Sequence, residues 1–418
     1  MRFNTLQEWL AWQEQLYPNV IDLGLHRVEA LLKALDLQRP GFPILTIGGT
    51  NGKGSSVSFA EAMLRAAGHK VGAYVSPHLL RYNERVRVDG VDVSDQEFCE
   101  SFQRIDDARG DLRVTYFEFG TLAAIDILTR RGVSAAVLEV GLGGRLDAVN
   151  ALDADVALIS SIGLDHQEWL GNGRDSIGRE KAGIFRQGRP AICGDRAPPA
   201  SLLEHAAGVG AKLQVLGRDF DCDLHGDVWT WKGEAQEFDG LPAPSLSGRM
   251  QYDNAATVIA ALLSHPRLTV PEAAIRRGLV EASIPARFQR LAGPVETVFD
   301  VSHNPDAARV LADNLAAFPA RGRSFAVMGM FKDKAVEEVT RALQGRFDHW
   351  YLGGLEGPRG QDAAALGARL RSASPDAVSS EYPSVSAAYA AARSAARPGD
   401  RIVVFGSFQT VASILKAV

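Results

Sequence analysis

Lys53, Ser55, Glu139 and His166 are the side chains whose types and settings could do chemistry together, because each stands at or just after the end of a short apolar run. The first two lie in residues 44–58, ILTIGGTNGKGSSVS, which read as strand, glycine loop and helix. Glycines let successive N–H groups converge on one point, and the start of a helix adds partial positive charge there. A polyphosphate fits such a loop. Lys53 would reach the outer phosphates and the Ser55 hydroxyl would ligate Mg2+, as in a Walker A loop. The spacing departs from the standard one: Gly48 and Gly49 precede Gly52-Lys53 by too little, and Gly54 separates the lysine from its serine. A plain tight turn is the competing reading.

Glu139 lies near the end of the buried run 134–140, SAAVLEV, just ahead of the glycine turn at 141–144. A carboxylate where a parallel strand ends sits where open α/β sheets bind ligands. The next run, 155–160, delivers SIGLDHQE (161–168) to the same edge. Alone, His166 reads as an ordinary structural histidine. Three strand ends presenting Ser55, Glu139 and His166 form a set able to hold divalent cations on a triphosphate. The run 70–75 leads into SPHLLRYNERV (76–86), a polar loop rich in potential ligands, although a turn reading leaves Arg85 and Arg87 solvated. Glu118 stands in the first turn of a helix, where an acid can serve only the helix dipole.

The elements that must position these residues follow from periodicity. Amphipathic helices are expected over 4–16 and 26–37, with Pro18, Asn19 and Gly24 breaking between them. A helix from Ser94 to about Ala108 carries Glu97 for a capping box, and another runs from Tyr116 to about Arg131. A helix from about Asp175 carries EKAGI (180–184). Strand, helix and strand then follow at 190–193, 198–208 and 212–216. The stretch 227–238 reads as an antiparallel ribbon whose Trp229 and Trp231 pack on one face. Helices at 254–263 and 271–282 precede a linker at 285–288. Strands at 296–301, 324–328, 349–352 and 401–405 then alternate with helices starting near Pro305, Asp333, Asp362, Val385 and Gln409. The fold expected is α/β: a P-loop ATPase-type N-terminal domain over 1–286, and a smaller doubly wound, Rossmann-like C-terminal domain over 287–418. The second lacks a Gly-x-Gly-x-x-Gly turn, so it is not read as a dinucleotide site.

At 418 residues the chain exceeds one ordinary core, which supports the two domains. Its net charge of -5, with 23% charged residues, provides no basic field for nucleic acid. Cys99, Cys193 and Cys222 are too scattered for a disulfide framework or thiolate zinc site. No signal peptide or membrane-length apolar run is seen, so a cytoplasmic monomer acting on small molecules is expected. A phosphate loop, metal positions and a second domain describe an enzyme that brings ATP together with two other reactants between lobes. Carboxylate activation is one general solution: the γ-phosphoryl passes to a carboxylate, and an amine displaces the acyl phosphate while closure excludes water.

The motifs TNGKGS (50–55), SPHLLRYNERV (76–86), LEVGLGGRLDAVN (138–150), SIGLDHQEWL (161–170), EKAGI (180–184), DVSHNP (300–305) and GSFQTV (406–411) resemble folylpolyglutamate synthase. The likeness is to the bacterial bifunctional form that is also a dihydrofolate synthase, within the Mur ligase superfamily. The resemblance implies ATP-dependent addition of L-glutamate to dihydropteroate and to reduced folates, with ATP as co-substrate and two Mg2+ ions. It implies that Thr50, Asn51, Gly52, Lys53, Gly54 and Ser55 hold the phosphates, with Asn254, Arg287 and Asp300 on the rest of ATP. Ser76, Glu139 and His166 match metal ligands beside Ser55, and Lys181 matches a lysine carried as its carbamate. The catalytic positions implied are Lys53, His166 and Lys181. Asp300 and His303 would meet the incoming glutamate. Thr115, Tyr116, Phe117 and Glu118, with Leu146, Asp147 and Ala148, would line the pterin site, near Arg81 and Asn83. Asp22, Leu23, Gly24 and Leu25 resemble a segment tied to dihydropteroate. Three alternatives stand: a nucleotide-driven switch ATPase, a Mur-type ligase using a UDP-linked acceptor, and a monofunctional folylpolyglutamate synthase.

Overall fold

Apolar runs without polar alternation fold as strands covered on both faces, and the first of two compact units, residues 1–245 with 251–283, is built on such strands. The computed structural model describes residues 1–17, 22–226 and 228–416; the breakers Pro18 and Asn19, and Asp227 at the start of the ribbon, lie outside them. Eight strands form the main sheet: β1 (Ile44–Gly48), β2 (Val71–Tyr74), β3 (Val86–Val88), β4 (Val91–Asp92), β5 (Ala135–Glu139), β6 (Val156–Ile159), β7 (Pro190–Cys193) and β8 (Lys212–Val215). Their order is β4-β3-β2-β5-β1-β6-β7-β8. From β2 to β8 neighbours are parallel, while β3 and β4 add an antiparallel hairpin at one edge. The register pairs Ile47 with Glu139 and Gly48 with Ile159. The ends of β5, β1 and β6 therefore deliver their loops side by side.

Among the described residues ten helices accompany these strands: α1 (Leu6–Leu16), α2 (His26–Ala34), α3 (Lys53–Ala66), α4 (Asp95–Arg109), α5 (Tyr116–Arg130), α6 (Gln167–Leu170), α7 (Arg174–Ala182), α8 (Ala200–Val209), α9 (Met250–Leu263) and α10 (Glu272–Glu281). Thr5, Ser94 and Thr115 cap α1, α4 and α5 in full capping boxes with Glu8, Glu97 and Glu118. Trp9, Phe98, Phe102 and Phe119 are wholly buried where α1, α4 and α5 meet. β9 (Phe220–His225), β10 (Val228–Gly233) and β11 (Glu237–Pro242) form a small antiparallel sheet. There Trp229 and Trp231 are buried, donating to the Pro242 and Ala256 carbonyls at 2.9 and 3.0 Å. They pack, as expected.

The second unit takes residues 246–250 and 284–418. Its strands are β12 (Gln289–Leu291), β13 (Glu296–Phe299), β14 (Ser324–Met328), β15 (His349–Gly353), β16 (Ser379–Tyr382) and β17 (Arg401–Phe405), in the order β12-β13-β17-β14-β15-β16. All pairs are parallel except β12 with β13. The chain divides at 283/284, where the sequence reading set the border at 286/287. That reading also passed over the β3–β4 hairpin, β12 and β16, because these edge strands are short or polar and show no sustained apolar run. α9 begins at Met250 rather than Asn254, which carries Asn254 inside the helix. Among the described residues no helix is long and apolar enough to cross a membrane.

α3 is buried nearly all round, with α10 packed against it. A Cβ on Gly278 of α10 would meet Met63 Cγ and come within 2.6 Å of the Met63 backbone nitrogen. Helix propensity would favour alanine by about 1 kcal/mol, but such overpacking costs roughly 1–3 kcal/mol. Gly278→Ala should therefore lower the urea midpoint followed by tryptophan fluorescence, and an unchanged or higher midpoint would refute this account of the contact.

Candidate active site

Gly49 and Gly52 turn the chain from β1 into α3 through backbone angles that L side chains rarely adopt, φ +144° and +86°. Neighbours leave no room for any other residue. A Cβ at Gly49 would collide with Ser160 Oγ, and one at Gly52 would lie 2.6 Å from Asn254 Oδ1. The loop after β6 grips the turn. Thr50 N donates to the Ser161 carbonyl at 2.8 Å and Asn51 N to Ser161 Oγ at 3.0 Å, while Gly163 N donates to Thr50 Oγ1 at 3.0 Å. Gly52 caps α3 without a side-chain bond, so the first N–H groups of the helix face outward to whatever anion the loop receives. Lys53, Gly54 and Ser55 form its first turn, with Gly54 and Ser55 buried.

Two lysine amines converge on this turn. Lys53 Nζ donates to the Gly49 carbonyl at 3.1 Å and the Thr50 carbonyl at 3.2 Å, and Lys181 Nζ, from α7, donates to the same Gly49 oxygen at 2.8 Å. Lys181 is buried, and that burial, reinforced by the Lys53 charge, pushes its amine down to about 7. The glycine turn after β5 makes the approach possible: a Cβ on Gly144 would lie 2.7 Å from the Glu180 carbonyl and 2.8 Å from that of Lys181.

Glu139 is buried at the end of β5, one strand from the loop. His166 begins α6 in a left-handed conformation, φ +51°, with its side chain 37% exposed and Asp165 Oδ1 accepting its backbone N–H at 2.9 Å. Such a conformation is uncommon for a non-glycine residue and gathers at functional sites. Among the described residues no three His, Cys, Asp or Glu side chains gather as a metal-binding group. The expected set Ser55, Ser76, Glu139, His166 and Lys181 holds only two residues of those types. Its remaining donors are hydroxyls and an amine.

A second cluster lies at the start of α5. Thr115 caps the helix, Thr115 N donates to Glu118 Oε2 at 2.8 Å, and Arg27 Nε reaches both Glu118 oxygens at 2.9 and 3.1 Å. Arg27 also donates to Asp22, through Nη1 to Oδ2 at 3.0 Å and Nη2 to the carbonyl at 2.9 Å, while Tyr17 bonds the same carboxylate. The structure thus ties Asp22, next to Leu23, Gly24 and Leu25, to Glu118. Tyr116 and Phe117 open the helix, and the Phe117 ring lies 6.3 Å from that of Tyr74. Asp147 is buried under the glycine turn between half-buried Leu146 and buried Ala148, accepting N–H bonds from Gly141, Leu142 and Val149 at 3.1, 2.9 and 3.0 Å. Burial outweighs those bonds and pushes its carboxyl up to about 6.

Arg81 and Asn83 serve the β3–β4 hairpin. Arg81 pairs with Asp92 at 3.0 Å, and Asn83 Nδ2 donates to the Val93 carbonyl and Asp95 at 2.9 and 2.8 Å. Arg85, solvated in a turn reading, is buried. In the second unit Asp300 accepts from Phe288 N and Ser302 N, each at 2.8 Å, and so holds the turn in which left-handed Ala286 and Phe288 flank Arg287. His303 Nδ1 lies 2.9 Å from the Val301 carbonyl, which needs the proton on that nitrogen. The sequence reading missed Arg27 and the burial of Arg85. For Arg27 the available signal was an arginine one residue into an amphipathic helix, beside an acid-bearing segment.

The Mur ligase, glutamate ligase domain family matches residues 286–408. Over 413 residues the chain is 42% identical to the dihydrofolate synthase/folylpolyglutamate synthase of Escherichia coli (strain K12), covering 99% of this chain and 95% of that protein. The structure of E. coli FolC in complex with DHPP and ADP superposes with a TM-score of 0.94 at 42% identity, covering 99% of this chain and 97% of that one. A bifunctional folylpolyglutamate synthase/dihydrofolate synthase with Mn, AMPPNP and L-glutamate bound superposes with a TM-score of 0.91 at 42% identity, covering 99% and 98%.

The Asp147 environment generates a pH effect of definite sign. Its folded pKa, about 6, exceeds the ordinary 3.8, so the folded state binds more protons between these values and loses stability as pH rises through that window. Carboxyl 13C titration should place the Asp147 midpoint near 6, and a midpoint at or below the ordinary value would contradict the burial effect.

Proposed function

The chain belongs to the dihydrofolate synthase/folylpolyglutamate synthase family, and from that premise we propose how its residues divide the family's reaction. It is an ATP-dependent ligase that adds L-glutamate to dihydropteroate, forming dihydrofolate, and to reduced folates, forming folylpolyglutamates. The carboxylate of the acceptor attacks the γ-phosphorus, giving an acyl phosphate and ADP, and the glutamate amine then displaces phosphate from the acyl carbon. Phosphoryl transfer needs positioning and charge compensation more than covalent help. The observation that carries the assignment is the glycine turn of β1, on whose Gly49 carbonyl Lys53 and Lys181 converge.

In this reading Thr50, Asn51, Gly52, Gly54 and Ser55 receive the phosphates on backbone N–H groups and hydroxyls. Lys53 leaves the Gly49 and Thr50 carbonyls to meet the transferring phosphoryl group, whose negative charge is the stronger partner. Asn254, already against Gly52, borders the nucleotide together with Arg287 and Asp300. His303 and Asp300 serve the incoming glutamate. Thr115, Tyr116, Phe117, Glu118, Leu146, Asp147 and Ala148 line the pterin site, braced by the Asp22–Arg27–Glu118 network.

Divalent cations accompany ATP in this chemistry. The donor set fits Mg2+: apart from the Lys181 amine it is oxygen and imidazole without thiol, and the Ser55 hydroxyl makes no hydrogen bond among the described residues. Ser55, Ser76, Glu139, His166 and Lys181 would hold two Mg2+, which when bound offset charge on the phosphates. Lys181 suits conversion to a carbamate, because its lowered pKa maintains the neutral amine that adds CO2 and yields an oxygen ligand. The reading needs one chain, so a monomer in the cytoplasm is proposed.

ADP release measured with ATP, Mg2+ and L-glutamate should require an acceptor and proceed with both dihydropteroate and tetrahydrofolate. Turnover with tetrahydrofolate alone would leave a monofunctional polyglutamylase, and ADP release without glutamate would favour a switch ATPase. Lys53→Ala should abolish ligation in the same assay; wild-type turnover would remove Lys53 from phosphoryl transfer. Lys181→Ala should lose activity and regain part of it with millimolar acetate or another short carboxylic acid. No regain at any concentration would leave the carbamate unsupported.

A further inference from the structure

We infer that Arg85 receives the carboxylate of the acceptor acid, through a guanidinium that the fold buries, clamps between tyrosines and leaves without a carboxylate of its own. The inference deepens the ligase reading above and rests on it. Arg85 is 8% exposed. Its Nε donates to His78 Nδ1 at 2.9 Å, and its guanidinium carbon lies 5.1 Å from the Tyr82 ring centroid and 5.6 Å from that of Tyr116. Cation–π contacts and one imidazole acceptor fix its plane and direction. They do not supply a counter-charge.

Other buried or part-buried arginines of the first unit show what is missing. Arg27 meets Glu118 and Asp22, Arg87 meets Glu61, and Arg109 meets Asp106. Among the described residues Arg85 pairs with no carboxylate; its hydrogen-bond partners are the His78 imidazole and the Tyr74 hydroxyl. A guanidinium has five N–H donors in a fork that matches a carboxylate edge to edge. A buried cation lacking such a partner is unfavourable, and an arriving carboxylate would remove that penalty.

The setting identifies which carboxylate. Tyr116 is the first residue of α5, next to Phe117, and Tyr74, whose ring faces Phe117, also lies within electrostatic reach of Arg85 and Asp147. Arg85 therefore borders the aromatic cluster assigned to the flat part of the acceptor. Flat aromatic walls beside a fixed guanidinium suit an aryl carboxylate. Dihydropteroate carries one, which it shares with no other acid on the molecule, so replacing it by a carboxamide isolates the contact.

Calorimetric titration of the ADP-loaded enzyme with dihydropteroate and with its carboxamide tests this directly. Wild type should bind the acid about tenfold or more tightly than the amide, the range expected of a charge-assisted pair. Arg85→Gln should bind the two about equally with unchanged ADP affinity, and Arg85→Lys should show an intermediate preference because an ammonium keeps the charge without the fork. An acid preference retained in Arg85→Gln, or absent from wild type that turns over, overturns the role of Arg85 alone. If Arg85→Gln binds no ADP, Arg85→Lys decides: a reduced acid preference supports the inference and an undiminished one overturns it. Wild type that forms no ADP with either acceptor would overturn the ligase reading and this inference together.

Discussion

The backbone conformation at Gly49 and Gly52 is the constraint on which the rest of the site depends. The left-handed geometry aims the Gly49 carbonyl at Lys53 and Lys181 and turns the first N–H groups of α3 outward. Ser160 and Asn254 pack so closely on the two glycines that a methyl group at either would be expelled. The turn is thus held by the loop after β6 and by α9, not by its own sequence alone. Burial at Lys181, with the Lys53 charge on the same carbonyl beside it, leaves that amine partly neutral near physiological pH.

The second cluster shows the opposite use of burial. Arg27, Asp22 and Glu118 are charged groups taken from water, and each is compensated by another and by N–H donors of the α5 cap. Such a network fixes geometry, because removing one member would leave the others charged and unpaired. Arg85 is clamped between Tyr82 and Tyr116 and meets no carboxylate among the described residues. One arginine completes the scaffold and the other is left to an incoming anion.

Much of this organisation was legible because it rests on local rules. Ser94 with Glu97 three residues later gave the start of α4, the helix pattern gave that of α5, and apolar runs gave β1, β2, β5 and β6. Tryptophan alternation gave the β9–β11 ribbon a packed face. The edge strands β3, β4, β12 and β16 were not legible, since two to four residues of mixed polarity carry too little periodicity and pair only because a neighbouring strand is there. Asn83 illustrates the same limit. That its amide holds the hairpin the loop becomes could not be read from a polar stretch alone.

From the sequence alone came the residue types and their order: a glycine turn with lysine and serine, acids and a histidine after apolar runs, and a second alternating α/β segment. Those follow from covalent spacing and from which side chains tolerate which backbone angles. Only the tertiary structure decided that Lys53 and Lys181, far apart in the chain, share one carbonyl, and that Glu118 is held by Arg27 while Arg85 meets no carboxylate among the described residues. Such facts depend on which surfaces pack together and how much water they exclude. Burial and long-range charge are properties of the assembled fold, and no local pattern encodes them.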